Sequence, residues 1–387
     1  MKKEVLFIFV LLSIFYSCTN RSSSNYKPLA KENLILIDLN KNDKVSVYEL
    51  FSEVEIITLE TTSNSLLEFP MGEPDRVIVD DEKYYFLDKK QQAILIFNHE
   101  GKFLKKMDYR GMGPKEYLSI HDFNINRFSK KIEVLSPEGR YINIYDPSGD
   151  IFIERQYLPK DMPIVHYFQN LTPDIYAFLS CAGSVEIVFY SRKDDTIIQS
   201  NYSLPEWISK TIFSISKNPF YIFNDSLCFQ QKYNGDVFTI SPINYELYPR
   251  YCWNFGQQNF DILSTFPKDE SINFYMELSN KISMKFAVLF QIYKENSKYY
   301  ITRFKYKNRH NHLVFDKFTN EYLLFEKFIE GGQLLPQWID DEAIYTFVPP
   351  TFLNQVINLT LLNKENQIKY NQLKEDDNPV IIKYTFK

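Results

Sequence analysis

The stretch richest in residue types that can do chemistry is Arg110-Gly111-Met112-Gly113-Pro114-Lys115-Glu116-Tyr117. Glycines on either side of Met112 let backbone amides approach a ligand, while Arg110, Glu116 and Tyr117 add charge and a stacking face. Arg110, Gly111, Gly113, Glu116 and Tyr117 are therefore candidate ligand-binding residues. The same spacing serves equally well as a tight link between two elements, with Glu116 and Tyr117 fixing it by hydrogen bonds. His310-Asn311-His312 sets two imidazoles on alternate residues, hence on one strand face, where they can ligate zinc or copper. No third ligand stands nearby and Lys307 and Arg309 flank the pair, so a solvated hairpin tip is the expectation and no metal is assigned. His99, His121 and His166 are isolated in sequence and read as surface or packing residues.

The acidic pairs Asp80-Asp81, Asp194-Asp195, Asp340-Asp341 and Asp376-Asp377 have the chemistry of glycosidase carboxylates, but adjacent acids on turns more often solvate loops. The chain has no GxSxG elbow, no HExxH and no phosphate-binding loop, so no catalytic residue and no cofactor is assigned.

The elements that must carry these residues are strands. Aromatic residues make up 17% of the chain, with 33 Phe and 28 Tyr against 3 Trp, a β-rich balance that excludes a coiled coil and general disorder. A net charge of -5 excludes the electrostatic footprint of a nucleic-acid binder. From Glu55 onward, short β-branched and aromatic runs alternate with polar turns, among them 55–59, 84–87, 93–97, 132–135 and 141–145. The segments starting at Ile94 and Ile142 align at an offset of 48 residues: each is an apolar strand, an Asx-x-x-Gly turn and a second strand. Fainter echoes follow at 187–192, 237–241 and 313–321.

Repetition at this period marks propeller blades. Dividing the roughly 335 residues from Glu55 to the end by about 45–55 per blade gives six or seven, and six suits longer blades. The strand near Ile56 is expected to complete the last blade near Ile381, closing the ring and removing exposed sheet edges. Helical spacing of Phe352, Val356, Leu359 and Asn363 after Pro349-Pro350 predicts one short helix inserted near that blade. Between Ile272 and Lys305 we expect a helical turn at 275–280 and then strands at 285–293 and 298–305. The fold class is all-β, a six-bladed β-propeller spanning 41–387.

The amino terminus gives an address. Lys2 and Lys3 precede an apolar run from Val5 to Phe15, too short to span a bilayer and suited to a secretory signal peptide over 1–17. It ends in Ser17-Cys18, which resembles a bacterial lipobox; Cys18 then becomes the lipidated first residue, and two or three acyl chains hold a protein firmly on a membrane. Residues 18–40 read as the lipidated cysteine and a polar tether. Cys181, Cys228 and Cys252 cannot all pair with one another, and buried thiols are favoured over a Cys228–Cys252 bridge.

Segments 57–62, 96–103, 110–117 and 377–381 together resemble the six-bladed β-propeller lipoproteins of Bacteroidetes, which are similar to NHL-repeat propellers. The resemblance covers almost the whole mature chain; its most specific segment is RGxGPxEY, where Lys115 stands at a position that the family commonly fills with Gly. It implies an exported outer-membrane lipoprotein, and the lack of an acidic stretch after Cys18 favours the periplasmic face over the cell surface. Asp195-Thr196-Ile197 and Asp225-Ser226-Leu227 resemble the O-glycosylation acceptors of exported Bacteroidetes proteins, which marks Thr196 and Ser226, although both also read as turn residues entering strands. The function expected is a lipid-anchored binding module for a glycan, peptide or envelope protein; a hydrolase or lyase acting on saccharide or peptide at the channel mouth is the alternative, and a purely structural envelope protein the third.

Overall fold

Strand runs such as Ala93–Asn98 and Tyr141–Tyr145 are apolar at consecutive rather than alternate positions, a pattern a strand sustains when both its faces are buried. A ring of blades provides that setting, because each sheet is sandwiched between two neighbours. The computed structural model of the protein describes residues 33–69, 74, 76–137, 140–180, 185–204, 218–230, 234–261, 281–291 and 294–387. Cys18, Cys181 and the helical turn expected at 275–280 lie outside the described residues.

Six antiparallel sheets follow one another along the chain. Blade 1 is Arg76–Asp80, Lys83–Asp88, Ala93–Asn98 and Phe103–Met107. Blade 2 is Asp122–Ile125, Ile132–Ser136, Tyr141–Tyr145 and Phe152–Tyr157. Blade 3 is Val165–Asn170, Ile175–Ser180, Val185–Ser191 and Thr196–Leu204. Blade 4 is Phe220–Phe223, Ser226–Gln230, Asp236–Ile240 and Leu247–Asn254. Blade 5 is Val288–Gln291, Tyr299–Tyr306, Arg309–Asp316 and Tyr322–Phe325. Blade 6 takes Trp338–Ile339, Ala343–Val348 and Val380–Phe386 from the end of the chain and its outer strand, Phe51–Thr58, from the beginning.

That closure falls where the sequence places it, with Ile56 opposite Ile382 and Ile57 opposite Ile381. The ordered body begins earlier than residue 41: Leu34–Leu36 adds a fifth, parallel strand to blade 4 along Cys252–Asn254. The insertion in blade 6 is not one helix but a chain of short ones, the 3-10 turns Pro350–Phe352 and Leu359–Leu361 and the α-helices Leu353–Val356 and Lys364–Gln372. Asn363 ends no helix; it caps the last one by accepting from Asn366 N. Buried Asn366 in turn accepts from Ile56 N at 2.8 Å, so the insertion satisfies an amide on the closing strand.

The core is divided into six clusters, one at each contact between neighbouring blades. In the second strand of blade 1, Tyr84 and Phe86 pack toward blade 6 while Tyr85 and Leu87 pack toward blade 2. This explains the aromatic content: Phe86, Phe97, Phe123, Phe168, Tyr176 and Phe178 are all fully buried. These aromatic residues fill the wedges between blades. Cys228 is a free, buried thiol and burial pushes its pKa up to about 11, so it is not bridged to Cys252.

Candidate functional site

Antiparallel pairing sends the links between blades, and the loops joining second to third strands, to one face of the ring, called here the mouth. Residues 108–121 form the link from blade 1 to blade 2, and Arg110 to Tyr117 closes it as a clasp with a parallel bridge between Arg110 and Tyr117. Gly111 N donates to Tyr117 O at 3.0 Å and Tyr117 N to Tyr109 O at 3.0 Å. The Glu116 carboxylate folds back to accept from Gly113 N at 2.8 Å, close enough to Gly111 that a Cβ there would lie 1.9 Å from Oε2. Blade 2 grips the clasp from outside: Tyr145 OH donates to Lys115 O at 3.1 Å, while Asn143 and Arg155 both donate to Glu116 O. Tyr117 is 1% exposed, so its ring offers no stacking face. Four of the five candidates thus build the link, and Arg110 is exposed, with no hydrogen bond or ion pair to a described residue.

What the clasp holds is the mouth. Tyr117 OH donates to Gln92 O at 3.1 Å, Ile120 N donates to Gln92 Oε1 at 2.6 Å, and Gln92 Nε2 donates to Lys89 O at 2.6 Å. Lys89, in the loop between the second and third strands of blade 1, is thereby set beside the end of the link at His121. Arg76 opens the innermost strand of blade 1, Asp122 that of blade 2, and Val165-His166 that of blade 3. Together they form a polar cluster that local motifs did not reveal.

The His121 and His166 rings meet edge-to-face at 4.7 Å, and Lys89 Nζ lies 5.8 Å from the centre of the Tyr167 ring. Asp122 is fully buried; Oδ2 accepts from Asn218 Nδ2 at 2.8 Å and Phe168 N at 3.2 Å, while Oδ1 lies 3.5 Å from Arg76 Nε. Burial pushes the Asp122 pKa up, and Arg76 and the Phe168 amide oppose that rise. Burial, reinforced by Lys89 and His166, pushes His121 down to about 3, so its imidazole is neutral at ordinary pH. Asn218 reaches past blade 3 from blade 4, and on the opposite face Arg127 spans likewise to Leu171 O at 2.9 Å and Asp225 O at 2.6 Å. These bridges tie blades 2, 3 and 4 to one another at both ends of their innermost strands.

The remaining candidates lie apart from it. His312 is buried against Phe325, not solvated, and its strand partner is Arg303, while His310 stands opposite Lys305. Two cationic neighbours disfavour a bound metal ion at that pair. His99 is exposed on a turn, 3.9 Å from Glu82. Asp80, Asp81 and Asp340 meet in a cleft of about 770 Å³ between blades 6 and 1, but Asp340 Oδ1 holds its own turn through Glu342 N and Ala343 N, and Asp80 pairs with Lys130 at 3.1 Å. Thr196 is exposed at the start of a strand; Ser226 is half-buried and donates to Asn224 O at 3.4 Å. A second inter-blade device is Glu295, whose side chain is fully buried and receives Arg250 at 2.6 Å, Lys317 at 2.7 Å and Tyr221 OH at 2.9 Å.

A six-bladed ring closed by its first long strand, with the link from blade 1 to blade 2 clasped by glycine and glutamate, is the class the geometry defines. The chain belongs to the family described as domain of unknown function DUF4934, whose profile matches residues 34–385. It is similar to the structure of a Bacteroides fragilis NCTC 9343 protein described as exported, at TM-score 0.71 and 12% identity over 92% of this chain and 99% of that one. It also matches a member of the DUF4221 family from Bacteroides vulgatus ATCC 8482, at TM-score 0.47 and 11% identity over 87% of this chain and 97% of that one. No functionally curated protein matches the chain.

Proposed function

We propose that this protein is a lipid-tethered binding module of the cell envelope, which docks a glycan, peptide or protein partner on the mouth face. The observation that carries this reading is the mouth cluster itself, polar groups set at the ends of innermost strands and tied through Asp122 to blades 1, 3 and 4. Arg110, exposed on the same face, supplies an outer contact. The apolar run from Val5 to Phe15 and the Ser17-Cys18 pair support a signal peptide over 1–17 and a lipidated Cys18, and the lack of an acidic stretch after Cys18 supports the periplasmic face of the outer membrane. The chemistry favours binding over turnover: an imidazole lowered to about 3 is a weak proton acceptor, and Asp122 is buried with Oδ2 held by Asn218 and Phe168 N and Oδ1 facing Arg76 at 3.5 Å. Thr196, exposed on the opposite face, is the better of the two glycan acceptors and leaves the mouth free.

The test is a thermal-shift screen of the mature, unlipidated chain against envelope saccharides and peptides, since a ligand of the native state raises its melting temperature. Shifts that disappear in Lys89→Met support the reading. Shifts that survive it, or a metal-dependent shift abolished by EDTA, contradict it. Added hexose on native protein, mapped by mass to Thr196, would establish the modification; unmodified peptide would exclude it.

A further inference from the structure

Among the described residues, charge at the mouth does not balance. Arg76 and Lys89 bring two cations, and one described carboxylate, Asp122, joins the cluster. The Arg76 side chain is only 9% exposed; its Nε lies 3.5 Å from Asp122 Oδ1 without a hydrogen bond, and neither Nη bonds to a described residue. Lys89 Nζ forms no hydrogen bond or ion pair with a described residue, and its contact is the Tyr167 ring. The neighbouring acid, Asp88, is engaged in its own loop, accepting from Glu68 N at 2.6 Å, Gln91 N at 2.9 Å and Gln91 Nε2 at 2.6 Å. The Nη donors, which are not sealed from solvent, and the half-exposed Lys89 ammonium are both open to an incoming anion.

We propose that the mouth takes a carboxylate, gripped by the Nη edge of Arg76 and neutralised by Lys89, with the His121 and His166 rings at its rim. This rests on the mouth being the docking site and names the group that docks there. A planar carboxylate matches the two parallel donors of a guanidinium edge. Among the described residues the deficit is one negative charge, which a carboxylate monoanion fills and a phosphate dianion overfills. The carboxylate belongs either to a uronic acid of a saccharide or to the end of a peptide, and the two sources present the same group.

The experiment is calorimetric titration of the mature chain with galacturonate and N-acetylglycine, beside galactose and inorganic phosphate. Binding of either carboxylate, with galactose and phosphate weaker, is the expected result, and whichever carboxylate binds tighter identifies the source. Lys89→Met is expected to weaken that binding about three- to fivefold and Arg76→Lys about tenfold, because lysine keeps the charge and loses the paired donors. Lys89 is half-exposed and unbonded, so its variant leaves the fold intact should Arg76→Lys disturb Asp122. Carboxylates binding no tighter than galactose, phosphate binding tightest, or unchanged affinity in both variants would overturn the proposal. Galactose binding that is lost in Lys89→Met would overturn the carboxylate alone and leave the mouth as the docking site.

Discussion

Replacing Gly111 by alanine distinguishes a glycine that admits a ligand from one that admits its own neighbour. An added Cβ would lie 1.9 Å from Glu116 Oε2 and 2.6 Å from its Cδ, so the carboxylate must swing away and release Gly113 N. A hydrogen bond to a charged group contributes about 1.5–3 kcal/mol when buried; Glu116 is half-buried, so about 1.5 is appropriate. Gly111 does not occupy the left-handed region, so alanine fits its backbone and returns about 0.5 kcal/mol by restricting the unfolded chain. The net loss expected for Gly111→Ala is about 1 kcal/mol, and for Glu116→Ala about 1.5 kcal/mol. In the Glu116→Ala background the obstruction is gone, and Gly111→Ala should stabilise by about 0.5 kcal/mol, a reversal of sign. Urea unfolding reads this as midpoint changes, about 0.3 M for 1 kcal/mol at a slope near 3 kcal/mol/M. Equal destabilisation by Gly111→Ala in both backgrounds would refute the clasp and return Gly111 to the ligand-binding candidates.

Three other outcomes follow from the geometry. Gly101→Ala puts a Cβ 2.2 Å from Thr58 O at φ +85°, where the backbone and not a mobile side chain must yield, so a loss of about 2 kcal/mol or more is expected by urea unfolding. Glu295→Gln leaves Arg250 and Lys317 buried without their counter-charge and should cost about 3 kcal/mol. Because burial already lowers the Lys317 pKa, that cost should be larger at pH 6 than at pH 9, and a pH-independent loss would contradict it. The folded pKa of His121, about 3, lies below its unfolded value of 6.5, so the unfolded state binds the extra proton and stability falls as pH drops below 6.5. The loss is at most roughly 2 kcal/mol at pH 5, trimmed by solvent screening, and the melting temperature of His121→Asn should fall less between pH 7 and pH 5 than that of the wild type.

How far the sequence could be read depended on which turns carried glycine. The turns between third and fourth strands start at Asn98 and Asp146 in blades 1 and 2 and reach positive φ at Gly101 and Gly149. Blades 3 to 5 place Asp195, Tyr245 and Asn320 at positive φ in this turn instead, so the Asx-x-x-Gly signature vanishes while a left-handed residue persists. Closure through Ile56 and Ile381 was legible because both strands are apolar runs that need a partner. The strand at Leu34–Leu36 was not, since three residues beside a polar stretch carry no periodicity. The insertion in blade 6 showed its helical spacing but not its breaks.

The site was hidden for a different reason. Its members share no local motif; they share a position in the repeat. Arg76, His121 and His166 follow one another at intervals of 45 residues, close to one blade, and each stands at the head of an innermost strand. Reading the histidines one at a time made them isolated, whereas aligning them by blade would have placed them on one rim. The segment that did attract notice, Arg110 to Tyr117, acts through Gln92 by positioning Lys89 and the end of the link.

The most direct measurement is amide hydrogen exchange of the mature chain with and without a ligand identified in the thermal-shift screen. Slowed exchange at residues 89–92, 118–122 and 164–168, with little change elsewhere, is the expected result for docking at the mouth. Protection confined to 80–83, 99–102 and 340–343, around the acidic cleft on the opposite face, would contradict it.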